Sequence, residues 1–262
     1  MSKRVDIVSA FYGCFDEDSR VDRTRAGQLE YRTTMEYIRR HAAPGCRILE
    51  VGAGTGRYSI ALARAGYDVT AVELVEHNLD ILRKNGADLS NLHAHQGDAL
   101  ELGRFSDGAF DLTLVLGPMY HLYDPTEVRT AISEALRVTK SGGAVIFAFL
   151  SVHAIVSNNY LQGDLQFGLR ENFTEAYQTR HFPEQLFTGY DIAEFENLFT
   201  GLPSQHLTTA AADGILELAA RGKDFCLSDA DFEAYARYHL ATCEKRELLG
   251  QSSHLLYICR KC

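Results

Sequence analysis

The chain has 262 residues, 46% of them hydrophobic, enough for one sizeable core near the upper limit of a single domain. A formal charge of -9 with no compensating run of Lys and Arg opposes the field that a phosphate backbone requires, which disfavours a nucleic-acid substrate. No apolar stretch approaches the roughly 20 residues of a membrane span, and MSKRVDIVSAFYGCFDED lacks a secretory apolar run, so the expectation is a soluble cytoplasmic protein without a membrane partner.

In chain order, Tyr31, Met35 and Ile38 share one helical face and predict an amphipathic helix ahead of the Pro44-Gly45 turn. From residue 45 to 150, short apolar runs alternate with helical patterns, the signature of an α/β parallel sheet covered by helices. The runs RILEVG (47–52), DVTAVE (68–73), NLHAHQ (91–96), FDLTLVL (110–116) and AVIFAFL (144–150) predict five parallel strands. Asp124-Pro125-Thr126-Glu127 offers an N-cap, a proline at the first helical position and a capping-box glutamate. Gly142 and Gly143 are expected to stop that helix before the fifth strand.

After Leu150 the alternation breaks, and 151–200 reads as a helical or irregular insertion or lid rich in aromatics and His. HLTTAAAD (206–213) and HLLYICR (254–260) regain strand character. Between them a helix opens near Ser228, with Phe232, Tyr235, Ala236, His239 and Cys243 on one stripe and Gly250 beyond its end. No repeat or linker divides the chain, which predicts one domain: an N-terminal helical cap (1–44), a core (45–150), the insertion (151–200) and a C-terminal part completing the sheet (201–262). Cysteines at 14, 46, 226, 243, 259 and 262 lack the spacing of a disulfide framework or zinc site and are expected as reduced thiols. The lone CxxC of Cys259 and Cys262 predicts a frayed C-terminus, and no metal is expected.

ILEVGAGTGRY (48–58) runs from a strand through three glycines towards a helix, so backbone N–H groups and an electropositive helix start can approach a polar ligand. A dinucleotide fingerprint begun at Gly52 and Gly54 needs its third glycine at 57, which is Arg57; the third glycine stands one place early, at Gly56. Glu50-Val51-Gly52-Ala53-Gly54-Thr55-Gly56 resembles the E/D-x-G-x-G-x-G motif of class I S-adenosylmethionine-dependent methyltransferases, in which the early glycine is expected. The resemblance extends to Glu73 at the end of strand two and to Gly97-Asp98-Ala99 after strand three. FDLTLVLG and KSGGAVIFAFL match strands four and five of the same fold, and the likeness covers residues 45–150. LEYRTT, LGPMYHL and HLLYICRK resemble a looser bacterial group within the family.

The resemblance implies a Rossmann-like seven-stranded mixed sheet in order 3-2-1-4-5-7-6, the last strand antiparallel, with helices on both faces. It implies S-adenosyl-L-methionine as methyl donor, S-adenosyl-L-homocysteine as product, and a cofactor wall of Gly52, Ala53, Gly54, Gly56, Glu73, Leu74, Asp98, Ala99, Leu116 and Gly117. In the family, Glu73 would accept from the ribose hydroxyls and Asp98 would lie near the adenine amino group. Tyr12 of FYGCF would lie against the sulfonium, a cation–π contact of about 0.5 to 2 kcal/mol, or pack in the core.

The site should open at the carboxyl ends of the strands, at the switch between strands one and four. That places Gly117-Pro118-Met119-Tyr120-His121 beside the methyl group. His121 is the candidate base or substrate-orienting residue, or a histidine satisfied by a backbone carbonyl; Tyr120 shapes the pocket or packs. Tyr160, His181 and Phe182 are the lid candidates for the substrate, while His93 and His95 read as edge residues. LGPMY lacks the [DNS]-P-P-[YFW] of exocyclic-amine nucleic-acid methyltransferases, and no Pro-Cys pair supplies a cytosine nucleophile, leaving a small molecule as acceptor and a monomer or homodimer as the assembly. A nucleotide-cofactor oxidoreductase and a non-catalytic cofactor-binding module are the competing readings.

Overall fold

The computed structural model describes residues 3–13, 22–183, 185–222 and 224–262. Cys14 and the end of FYGCF lie outside the described residues. Helices α1 (Lys3–Tyr12) and α2 (Arg25–His41) precede the sheet, and Thr24 caps α2 by accepting from the Gly27 N–H. Strands β1 (Arg47–Val51), β2 (Asp68–Glu73), β3 (Leu92–Gln96), β4 (Phe110–Val115) and β5 (Thr139–Ser151) are all parallel. Helices α3 (Arg57–Arg64), α4 (Glu76–Asn85) and α5 (Pro125–Val138) connect them. Val51, Leu112, Leu114 and Val145 are buried because helices cover both faces, which is why these strands read as unbroken apolar runs.

The insertion comprises α6 (Val152–Asn159), α7 (Leu165–Asn172), the two-residue β6 (Gly189–Tyr190) and α8 (Ile192–Asn197). Strands β7 (Ser204–Ala211) and β8 (His254–Lys261) enclose α9 (Leu216–Ala219), α10 (Asp229–Thr242) and α11 (Arg246–Leu249). The sheet order is β3-β2-β1-β4-β5-β8-β7, with β6 paired to β5 and β8 antiparallel to both neighbours. Setting β6 aside, this is the expected order 3-2-1-4-5-7-6. The stripe on α10 is in place: Phe232, Ala236 and His239 are buried, as is Cys243 at its C-cap.

Four local expectations are corrected. Gly142 and Gly143 do not stop α5, which ends at Val138; β5 begins at Thr139, and the glycines lie where its register against β4 shifts. Gly142 has φ +79°, and a Cβ on Gly143 would come 2.7 Å from the Asp111 carbonyl oxygen, so only glycines fit this bulge. Asp124 caps α5 through the Thr126 and Glu127 N–H groups, but Glu127 turns its carboxylate to Arg4, 3.2 Å away, instead of completing a capping box. The C-terminus is not frayed: Cys259 is fully buried in β8, paired with Val145 and His206, and of the two cysteines only Cys262 is exposed. Strand β6 escaped the sequence reading because it is two residues long and starts on Gly189, where a Cβ would come 2.7 Å from the Val152 Cα. No described helix is long and apolar enough to cross a membrane, and the five described cysteines carry no disulfide.

Candidate functional site

Strands β2 and β4 flank β1, so the loops after all three converge at one edge of the sheet, and there lies a cavity of about 640 Å³. The β1 loop enters it with Gly52, Gly54 and Gly56 at φ +75°, +54° and +90°, a backbone that residues with a Cβ rarely adopt. A Cβ on Gly52 would strike the Pro118 ring at 2.5 Å, which is how closely this loop packs against the turn after β4. Gly52, Ala53 and Gly54 line the cavity. Gly56 is not among its walls: it caps α3, where a Cβ would meet Leu82 at 2.7 Å, so its glycine serves packing against α4.

Glu73, at the last position of β2, is 5% exposed; its Oε2 accepts from the Gly54 N–H at 2.7 Å and its Oε1 from the Val75 N–H at 2.8 Å. The carboxylate is thus anchored to the glycine loop with its edge on the cavity. Asp98 faces the same space, accepting from the Leu100 N–H at 3.1 Å and from Arg4 Nη2 at 2.5 Å. Leu74, Ala99, Leu116 and Gly117 complete this half. Asn78, on the first turns of α4, is buried in the wall, and its Oδ1 has no hydrogen-bond partner among the described residues. Glu50, buried beneath the loop on β1, accepts from the Ser59 hydroxyl; burial pushes its carboxyl up to about 8, against the opposing pull of the Ser59 hydrogen bonds.

The second half of the cavity is walled by rings. The 3-10 turn Pro118–His121 brings Tyr120 and His121, α1 brings Phe11 and Tyr12, and the insertion brings Phe187. His121 is 7% exposed, its Nδ1 donates to the Leu186 carbonyl at 2.6 Å, and its Nε2 accepts from the Tyr12 hydroxyl at 3.2 Å. Burial, with the nearby Arg4 charge adding to it, lowers its pKa to about 4, so the ring is neutral at pH 7. Both nitrogens hold the turn, the insertion and α1 together, and the Thr188 N–H to Tyr120 carbonyl bond at 2.6 Å reinforces the junction.

Two substrate candidates sit elsewhere. Tyr160 covers Gly168 of α7, where a Cβ would lie 2.3 Å from its ring, and His181 Nε2 donates to Glu194 Oε1, 2.7 Å away; neither lines the cavity, nor does Phe182. They build the insertion's own interior, and the insertion reaches the cavity through Phe187 instead. His93 and His95 lie on the edge strand β3, with His93 exposed.

Sequence reasoning missed Arg4, Glu30, Asn78, Asp213, Glu217 and His254, all of which line the cavity. Arg4 is 6% exposed between Asp98 and Glu127, a buried cation on a helix whose weak amphipathicity gave no signal. His254 and Asp213 had one available signal. An antiparallel last strand starts where the parallel strands end, so the first residue of HLLYICR and the last of HLTTAAAD must meet at the carboxyl edge.

A model of the methyltransferase domain family matches residues 48–143. The demethylmenaquinone methyltransferase of Renibacterium salmoninarum is 36% identical over 110 residues, 42% of this chain and 44% of that protein. The ubiquinone biosynthesis O-methyltransferase of Bordetella avium is 33% identical over 108 residues, 41% of this chain and 44% of that protein. The chain thus spans less than half the length of these curated relatives. Among solved structures, a possible histamine N-methyltransferase from Thermotoga maritima covers 99% of this chain and all of its own at TM-score 0.62 and 16% identity. The [4+2]-cyclase SpnF shares the fold at TM-score 0.57 and 18% identity, covering 88% of this chain and 81% of its own, so the fold alone does not dictate the reaction.

Proposed function

We propose that this chain, whose residues 48–143 match a methyltransferase domain model, is a class I S-adenosylmethionine-dependent methyltransferase that transfers the donor's methyl group to a small molecule with a flat, apolar body. The observation that carries the reading is one continuous cavity with two unlike halves. A glycine-and-carboxylate half is built by Gly52–Gly54, Glu73 and Asp98, and a ring-walled half by Phe11, Tyr12, Tyr120 and Phe187. The relatives named for demethylmenaquinone and ubiquinone biosynthesis suit an acceptor of that shape.

The residues present fit the cofactor. The Gly52 and Gly54 backbone admits a ligand against the strand end, Glu73 offers a carboxylate hydrogen-bonded to that loop and facing the cavity, and the Asn78 Oδ1, with no hydrogen-bond partner among the described residues, is a buried acceptor in the same wall. When bound, S-adenosylmethionine supplies an electrophilic methyl on a cationic sulfur. Glu30, Glu73, Asp98, Asp213 and Glu217 line the cavity beside Arg4, Arg23, Arg57 and Arg221, so carboxylates are at hand to face a cationic sulfonium. Phe187 and the Tyr12–His121 pair close the ring-walled half, excluding water and fixing the acceptor's approach. Positioning of this kind is worth on the order of 7 to 11 kcal/mol when reacting atoms are held in line.

Tyr12 and Tyr120 shape the acceptor side in this reading, and His121 orients them. The cap, core, insertion and C-terminal segments act as one catalytic unit, because each contributes a wall of the cavity. Incubating the chain with donor labelled in its methyl group and a metabolite extract tests the reading. It predicts one labelled small-molecule product whose mass identifies the acceptor; label confined to unreacted donor would refute it.

A further inference from the structure

At the ring-walled end, Asp213 follows β7 and His254 begins β8. Because β8 runs antiparallel to β5, His254 lies level with Leu150, at the carboxyl edge of the parallel strands and on the cavity wall. The Asp213 side chain is 2% exposed. Its Oδ1 accepts from the Ser252 hydroxyl at 2.5 Å, the Ser253 N–H at 2.9 Å and the His254 N–H at 3.2 Å, and its Oδ2 accepts from His254 Nδ1 at 2.7 Å. A carboxylate fixed by three other donors cannot rotate away, so it assigns the proton to Nδ1 and makes Nε2 the basic nitrogen of the ring. Tyr120 packs its ring against His254 at 5.9 Å between centroids, which sets the imidazole beside the turn that forms the acceptor side.

We propose that His254, oriented by Asp213, takes the proton from an acceptor O–H or N–H as that oxygen or nitrogen is methylated. The inference rests on the methyltransferase reading. In the step, a lone pair of the acceptor O–H or N–H forms the new bond to the methyl carbon. The carbon–sulfur bond of the donor breaks with its electron pair remaining on sulfur as a neutral thioether, and the acceptor's proton passes to His254 Nε2. The resulting imidazolium faces Asp213 from the end of β7, Glu30 of α2 at 3.9 Å from Nδ1, and Glu217 of α9, itself 3.8 Å from Arg221. It returns its proton to solvent after product leaves. His121 is unsuited to this task, since its ring nitrogens hold Leu186 and Tyr12.

The test combines two readouts on the full chain. In histidine-labelled protein, His254, assigned by its loss in His254→Gln, is expected to carry its proton on Nδ1 at high pH; Asp213→Asn, which presents an amide N–H to Nδ1, is expected to switch the tautomer and lower the pH midpoint of the ring. In the extract assay with labelled donor, His254→Gln is expected to cut the initial rate by about 10² to 10⁴, while affinity for S-adenosylhomocysteine stays within twofold. A rate within threefold of wild type, or a His254 tautomer and midpoint unmoved by Asp213→Asn, would overturn the proposal. So would loss of activity on EDTA treatment with recovery on adding Mg²⁺ or Zn²⁺, which would make Asp213, Glu217 and His254 a metal site instead. If wild type transfers no label at all, the methyltransferase reading itself fails, an outcome distinct from a variant that keeps wild-type activity.

Discussion

Replacing Glu50 with Gln should stabilise the ligand-free protein in a pH-dependent way. Glu50 is 1% exposed on β1, and burial lifts its carboxyl from the ordinary 4.5 to about 8. Between those two values the folded protein holds a proton that the unfolded chain has released, so stability is fully present below pH 4.5 and falls as pH rises through 8. At about 1.36 kcal/mol per pH unit, the step from pH 5 to pH 8 has a ceiling of about 4 kcal/mol, a large share of a typical 5–15 kcal/mol. Gln keeps the shape and can pair with the Ser59 hydroxyl but does not ionise. Urea unfolding at pH 5 and pH 8.5 is the assay: the variant should match wild type at pH 5 to within about 1 kcal/mol and exceed it by several at pH 8.5. Parallel stability profiles for the two proteins would refute the reasoning, because they would mean that Glu50 is ionised in the fold at no cost.

Glu73→Ala should weaken S-adenosylhomocysteine binding more than tenfold by calorimetry, since it removes the carboxylate that the Gly54 and Val75 N–H groups aim at the cavity; unchanged affinity would remove Glu73 from the ligand. The Glu50 proton should also register in that titration: a cationic donor favours the carboxylate, so binding of S-adenosylmethionine near pH 7 should release a proton, seen as a dependence of the apparent enthalpy on buffer, and Glu50→Gln should abolish it. Arg4→Met should speed amide exchange across 3–12 and leave β1 and β4 protected, because Arg4 ties α1 to Asp98 and Glu127, neither of which lies on a strand; equal exchange in both proteins would show that α1 is held by other contacts.

The sheet was legible because its strands are short, apolar and punctuated. FDLTLVL and DVTAVE could be read without a partner, and the order followed once the glycine loop matched a family. The cofactor half was legible for the same reason: Gly52, Gly54, Glu73 and Asp98 lie at strand ends, where spacing along the chain translates directly into position in space. The acceptor half is assembled from α1, α2, the insertion, the end of β7 and the start of β8, segments up to 243 residues apart in sequence, from Phe11 to His254. No local pattern marks such a meeting. Tyr160 and His181 show the cost of choosing by residue type within an insertion: each satisfies a neighbour in its own segment, Gly168 and Glu194. Gly56 shows the converse, a motif residue whose lack of a Cβ is used by Leu82.

The most direct test of the account is ligand-dependent unfolding of the intact chain with S-adenosylmethionine, S-adenosylhomocysteine and NAD(H) compared at equal concentration. Either sulfur nucleoside at 100 times its Kd should add about 2.7 kcal/mol of stability, and NAD(H) should add none. Stabilisation by NAD(H) alone would contradict the assignment of the Gly52–Gly54 loop, Glu73 and Asp98 to a methyl donor.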